Sequence, residues 1–68
     1  MESIHGFKIK KAPQSPEYFY NFYSSNIRMG SIDADAKRIE FTNSGQSLGI
    51  QELESLIQLV NELNKRHS

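Results

Sequence analysis

Residues 49–66, GIQELESLIQLVNELNKR, carry the clearest structural pattern of the chain, because their apolar side chains recur with the period of an α-helix. At about 100° per residue, these side chains cover about half of the helix circumference, and polar side chains occupy the rest. We expect the centre of this apolar arc, formed by Leu53, Leu56 and Val60, to pack into the core. The whole arc consists of Ile50, Leu53, Leu56, Ile57, Leu59, Val60 and Leu63.

Both ends of this helix carry residues that helix ends favour. With Gly49 as the N-cap, Glu52 falls at the position from which its carboxylate can accept a hydrogen bond from the Gly49 amide. Lys65 and Arg66 lie in the last turn, beside the negative end of the helix dipole. Both features favour a helix over this stretch.

The residues before this helix have the pattern of a β-hairpin. In the ranges 26–32 and 37–42, apolar side chains alternate with polar ones, as in strands with one buried face. Asp33-Ala34-Asp35-Ala36 predicts the connecting turn, because aspartate side chains accept hydrogen bonds from nearby backbone amides. Gly30 predicts a bulge or a close approach of two backbones. We expect Asn43-Ser44-Gly45 to end the sheet.

Two further stretches precede the hairpin. Ile4 to Lys11 alternates between apolar and basic side chains and is predicted to form a half-buried strand, which Pro13 and Pro16 then end. Residues 17–25, EYFYNFYSS, fit two structures. Their aromatic density favours a strand, whereas Ser15 as N-cap and Pro16 as first helical residue favour a helix. We prefer the strand, and the helix remains the alternative interpretation of these residues.

These patterns predict one α+β domain over residues 1–68, in which a small antiparallel sheet of three to four strands packs against one C-terminal amphipathic helix. A chain of 68 residues has a small core, and domains of this size commonly gain stability from a disulfide, a metal or a partner chain. The sequence has no cysteine, and its two histidines lie far apart. We therefore expect no metal site and no cofactor, and we favour association.

A homodimer is predicted from the width of the apolar arc. One sheet covers a helix stripe of about 100°, which is narrower than the arc. Leu59 and Leu63 lie at the edge of the arc, so we predict that they contact a second copy across a two-fold axis.

The charge balance limits the classes of partner. Eight basic and eight acidic residues give a formal net charge of +0, so the chain has no strong general attraction to nucleic acid or to anionic membranes. The N-terminal residues lack the pattern of a signal peptide, and no apolar run approaches the ~20 residues that span a bilayer. We expect a soluble, cytoplasmic protein with no membrane partner.

No catalytic motif stands out, and we predict that the chain is not an enzyme. Asp33-Ala34-Asp35 could begin a calcium loop, but Lys37 and Arg38 stand where that loop needs an oxygen ligand and a glycine. No serine lies in a nucleophile motif. A hairpin turn is the better interpretation of the aspartates.

The function that the sequence favours is a non-catalytic protein-binding module, in the style of phage-type or accessory inhibitors that block a partner surface. Tyrosine and arginine dominate binding hot spots, because they combine large contact area with polar ends. The alternative is a single-stranded nucleic-acid-binding protein that stacks bases on an aromatic and basic sheet face. A self-assembling structural protein is a third candidate. The predicted binding residues are Tyr18, Tyr20, Tyr23, Arg28 and Arg38.

Overall fold

A computed structural model describes residues 1–42 and 47–68 of the chain. Five strands lie side by side in chain order, each antiparallel to the next, and one helix follows them. The α+β prediction is confirmed, with five strands in place of three to four. The predicted end of the sheet at Asn43-Ser44-Gly45 falls outside the described residues. The elements are β1 (Glu2–Ile4), β2 (Phe7–Lys11), β3 (Phe19–Ser24), β4 (Ile27–Asp33), β5 (Arg38–Phe41) and α1 (Ile50–Arg66).

The additional strand comes from the N-terminal stretch. The prediction of one strand from Ile4 to Lys11 is wrong, because Ile4 ends β1 and β2 begins at Phe7. Between them, His5 and Gly6 form a two-residue turn with φ angles of 51° and 86°. A two-residue hairpin turn of type I′ needs positive φ at both turn residues, and glycine at the second position meets this need without strain. The His-Gly pair is the local signal that indicates this turn.

The preferred interpretation of residues 17–25 is confirmed, because Phe19–Ser24 is a strand. It is the central strand of the sheet, paired with β2 on one side and β4 on the other. Ser25 and Asn26 then make a second two-residue turn, with φ angles of 52° and 66°. The helical alternative is wrong, since hydrogen bonds to two neighbouring strands outweigh the weak helix-start signal before Glu17.

The hairpin of β4 and β5 forms as predicted. The Asp33 carboxylate accepts hydrogen bonds from the amides of Asp35 and Ala36, at 3.1 and 3.0 Å. The register of β3 and β4 shifts after Phe22, which produces the predicted irregularity in the strand that contains Gly30. A Cβ atom at Gly30 would lie 2.0 Å from the Glu40 carbonyl oxygen. Glycine therefore permits the close approach of β4 and β5.

Helix α1 begins as its N-cap chemistry predicts, and it covers one face of the sheet. The Glu52 carboxylate accepts a hydrogen bond of 2.9 Å from the Gly49 amide. The core between helix and sheet is entirely apolar among the described residues. Its members are Phe7, Ile9, Phe22, Met29, Ile32, Ala34, Leu56, Leu59, Val60 and Leu63.

The predicted rotation of the helix needs correction. Leu56 and Val60 lie in the core as expected, but Leu53 is 40% exposed. Leu59 and Leu63 are both 0% exposed, so the prediction that they contact a second copy is wrong: the chain's own sheet covers them.

Two polar contacts at the end of the helix accompany this rotation, which buries Leu56, Leu59, Val60 and Leu63 against the sheet. The Asn64 side-chain amide donates to the Ala34 carbonyl in the β4–β5 turn, at 2.8 Å. At the opposite edge of the sheet, the Arg66 guanidinium forms a two-pronged ion pair with Glu2 of β1. Asn64 and Arg66 therefore lie on opposite sides of the helix. Leu59 and Leu63 lie between them, on the side of the helix that faces the sheet.

Candidate functional site

The face of the sheet opposite the helix is the candidate site, and we call it the open face. Residues that pair across antiparallel strands share a face, so the register assigns every side chain to one side or the other. Helix α1 covers the face that carries Phe22, and no other described element covers the opposite one. The open face consists of Ser3, Lys8, Lys10, Phe19, Asn21, Tyr23, Arg28, Ser31, Asp33, Arg38 and Glu40.

One end of the open face is a row of three cross-strand neighbours. Tyr23 of β3 pairs with Lys8 of β2 on one side and with Arg28 of β4 on the other. The tyrosine is half-buried, while both basic side chains are exposed. An aromatic side chain between two cations offers apolar contact area, a hydroxyl group and positive charge within one small patch.

The Arg28 side chain is held in place by its neighbours. Its Nε and Nη2 atoms each donate to the Asn21 side-chain oxygen at 3.3 Å, and Nη2 also donates to the Ser31 hydroxyl at 3.2 Å. Both partners lie on the open face and belong to the two strands on which the guanidinium rests. The cation is therefore oriented before any partner arrives.

The other end of the open face is concave and mixed in charge. A depression of about 220 Å³ is lined by Phe19, Ser31, Ile32, Asp33, Arg38 and Glu40. The Asp33 carboxylate is already engaged by turn amides. The open face carries four basic side chains, Lys8, Lys10, Arg28 and Arg38, against the acidic Asp33 and Glu40. It is thus net positive on a chain whose formal charge is +0.

The structure divides the predicted binding residues between two faces. Tyr23, Arg28 and Arg38 lie together on the open face. Tyr20 lies on the helix face, where its hydroxyl and the His67 Nε2 atom are 2.7 Å apart in a hydrogen bond. Tyr18 is half-buried and packs against the core. Tyr18 and Tyr20 therefore support the packing of the helix and do not extend the surface around Arg28.

Sequence reasoning missed the residues that position Arg28. Asn21 and Ser31 have no motif of their own, and their role follows only from the strand register. The alternation in β3 was a usable signal, because it places Asn21 on the same side as Phe19 and Tyr23.

A second charged contact lies outside the open face. Arg66 lowers the pKa of the Glu2 carboxyl, chiefly through their hydrogen bonds. The pair joins β1 to the last turn of α1, and both side chains are exposed. The pair therefore stabilises the packing of the helix end against the edge of the sheet.

The described ranges, 1–42 and 47–68, contain no group of three or more His, Cys, Asp or Glu side chains that could hold a metal ion. Within the same ranges, the helix is too short and too polar to cross a membrane. Compared with family models, curated proteins and solved structures, the chain matches none of them. The fold alone defines the class: a small α+β protein with one covered and one open sheet face.

Proposed function

We propose that this chain is a non-catalytic protein-binding module that covers a surface of a partner protein with its open face. The observation that carries the proposal is the guanidinium of Arg28, fixed by Asn21 and Ser31 beside Tyr23 on an uncovered sheet. A side chain that is already ordered loses less conformational entropy on binding, so more of its interaction energy appears as affinity. Tyrosine and arginine are also the residues that contribute most at protein interfaces.

The charges of the open face indicate the chemistry of the partner. Lys8, Lys10 and Arg28 favour carboxylates opposite β2–β4, and the Nη1 atom of the oriented guanidinium, which has no hydrogen-bond partner among the described residues, can donate to one of them. Asp33 and Glu40 beside the depression add negative charge to the same face. A surface of both signs fits a protein partner better than the uniform negative charge of a nucleic acid. Such a module acts by occupying the partner's surface, which is how a blocking inhibitor works.

Quantitative capture from cells that produce the protein tests this proposal. The immobilised wild type is compared with Arg28→Ala and with Lys65→Ala, which removes the same charge from an exposed site at the end of the helix. We expect one or more proteins to bind the wild type and Lys65→Ala equally. Arg28→Ala should weaken their binding by about 2 kcal/mol, or roughly thirtyfold.

Folding of each variant is checked first by its thermal transition. If Arg28→Ala and Tyr23→Ala both fold and capture the same proteins as the wild type, the open face is not the contact surface.

A specific observation also favours the nucleic-acid alternative as a second candidate. Phe19 and Tyr23 lie on the same side of β3, with Lys8 and Lys10 on the neighbouring strand. Single-stranded nucleic acid binds to such combinations by stacking its bases on aromatic rings beside cations. Fluorescence anisotropy of single-stranded oligonucleotides at several salt concentrations separates the two candidates. Affinity that falls steeply with salt and is lost in Lys8→Ala/Lys10→Ala supports the second candidate.

A further inference from the structure

A second exposed surface lies along β5, at the edge of the sheet. The amides and carbonyls on the outer side of β5 have no strand beside them among the described residues. The opposite edge strand, β1, has three residues and is tied to the helix by the Glu2–Arg66 ion pair. Unprotected edge strands pair readily with other strands. Of the two edges, β5 is the longer and the less protected one.

The helix exposes apolar side chains on the same side of the molecule. We call Ile50, Leu53 and Ile57 the helix shoulder; they are 77%, 40% and 56% exposed. On the helical wheel they lie within about 40° of Asn64. Since Asn64 bonds to the β4–β5 turn, the shoulder is turned toward β5 and away from β1. Phe41 of β5, which faces the helix side of the sheet, is also 53% exposed.

The charges of β5 match a second β5. Arg38 and Glu40 lie on the open face, and neither forms an ion pair among the described residues. If two β5 strands pair antiparallel with Ile39 on the two-fold axis, Arg38 of each copy stands opposite Glu40 of the other. A register centred on Glu40 would instead place two carboxylates opposite each other. A register centred on Arg38 would place two guanidinium groups opposite each other. Cross-strand neighbours of opposite charge stabilise a pair, and like charges destabilise it.

We infer that the chain forms a two-fold dimer in which β5 pairs with β5 of a second copy, with Ile39 on the axis. The two sheets become one continuous ten-stranded sheet, and the two open faces lie on the same side of it. On the helix side, Ile39 and Phe41 of both copies line the seam, and the two helix shoulders flank it. The homodimer predicted from the helix arc is thus retained, with a different interface from the buried Leu59 and Leu63.

The area that a dimer needs explains why the helix shoulder belongs to this interface. A stable interface buries about 800 Å² on each partner. A strand of four residues is only about 13 Å long, so its edge alone supplies too little area. Phe41 and the shoulder add the apolar surface that the strand lacks. This inference does not rest on the proposed function, whose central residues Tyr23 and Arg28 lie away from the seam.

Sedimentation equilibrium of the full chain tests the dimer, and a charge exchange tests its register. The wild type, a chain of 7.8 kDa, should sediment at twice that mass at about 100 μM. Glu40→Arg places two arginines together at two symmetric sites and should raise the dissociation constant about tenfold. Adding Arg38→Glu to that variant restores opposite charges and should return the constant to within about threefold of the wild type.

Two further variants serve as controls. Glu54→Arg makes the same charge change on the exposed polar side of the helix and should remain dimeric. Ile57→Glu should weaken the dimer without lowering the stability of the monomer, because the side chain is exposed. The inference would be overturned if the wild type were monomeric at about 100 μM, or if the double variant Arg38→Glu/Glu40→Arg had a dimer dissociation constant no lower than that of Glu40→Arg alone. Arg28→Ala should leave the mass from sedimentation equilibrium unchanged. Absence of the dimer and absence of partner binding by the open face are therefore separate results.

Discussion

At the scale of single residues, Gly30 is the position where one added carbon atom would do most damage. A Cβ there would lie 2.0 Å from the Glu40 carbonyl oxygen and 2.9 Å from the Phe41 Cα, and neither backbone atom can move without disturbing the β4–β5 pairing. We expect Gly30→Ala to lower the free energy of unfolding by about 3 kcal/mol in urea denaturation. Gly49→Ala is the control, because its nearest neighbour is a flexible Glu52 oxygen at 3.4 Å, and it should cost less than about 1 kcal/mol. Equal losses in the two variants would contradict the close approach.

The Glu2–Arg66 pair makes a prediction about pH. Because the folded protein has a lowered Glu2 pKa, the pair contributes stability above the pKa of the unfolded chain. That contribution disappears as the pH falls through the lowered pKa of the folded state. We expect the wild type to melt at a higher temperature than Glu2→Gln at neutral pH, and the difference should vanish as the pH falls through and below the ordinary pKa range of a glutamate. Both side chains are exposed, so high salt should also reduce the difference, and a difference that persists at low pH would contradict the assignment.

At the scale of elements, the rotation of α1 can be measured with a matched pair of leucines. Leu56 is 1% exposed and Leu53 is 40% exposed, although they lie three residues apart. We expect Leu56→Ala to cost roughly 2–5 kcal/mol, which is enough to unfold much of a domain of this size. Leu53→Ala should cost less than about 1 kcal/mol, because its side chain keeps much of its contact with water when the protein folds. Urea denaturation measures the free energy of unfolding of both variants. A larger loss for Leu53→Ala would support the buried face predicted from the sequence, which includes Leu53.

At the scale of the whole molecule, the dimer should make stability depend on concentration. Association that requires folded β5 stabilises the folded state by mass action. The melting temperature of the wild type should therefore rise between about 5 and 500 μM, whereas that of Glu40→Arg should change much less. Differential scanning calorimetry over this range provides the measurement. A wild-type melting temperature that is constant over the range would argue for a monomer.

Sequence alone determined the features whose causes are local. The helix start depends on Gly49 and Glu52, three residues apart, and the hairpin turn on Asp33 and amides two and three residues further on. Alternation along β3 likewise indicates which of its aromatic side chains share a face. Short-range chemistry of this kind is visible in any window of a few residues. The His5-Gly6 turn is equally local, but the alternation of apolar and basic side chains from Ile4 to Lys11 runs across it and hides its signal.

Contacts between residues that are far apart in the chain select which side of each element is buried. Helical periodicity sets the width of an apolar arc but not the part of it that faces the sheet. That choice is made by the burial of apolar helix side chains against the sheet, and it brings together Asn64 with Ala34 and Arg66 with Glu2, residues 30 and 64 positions apart in the chain. The same packing leaves the helix shoulder exposed. Because α1 covers one face of the sheet, Tyr20 lies against the helix, whereas Tyr23 and Arg28 lie on the uncovered face. Local sequence patterns define the two faces of a strand, and long-range packing selects which of them is covered.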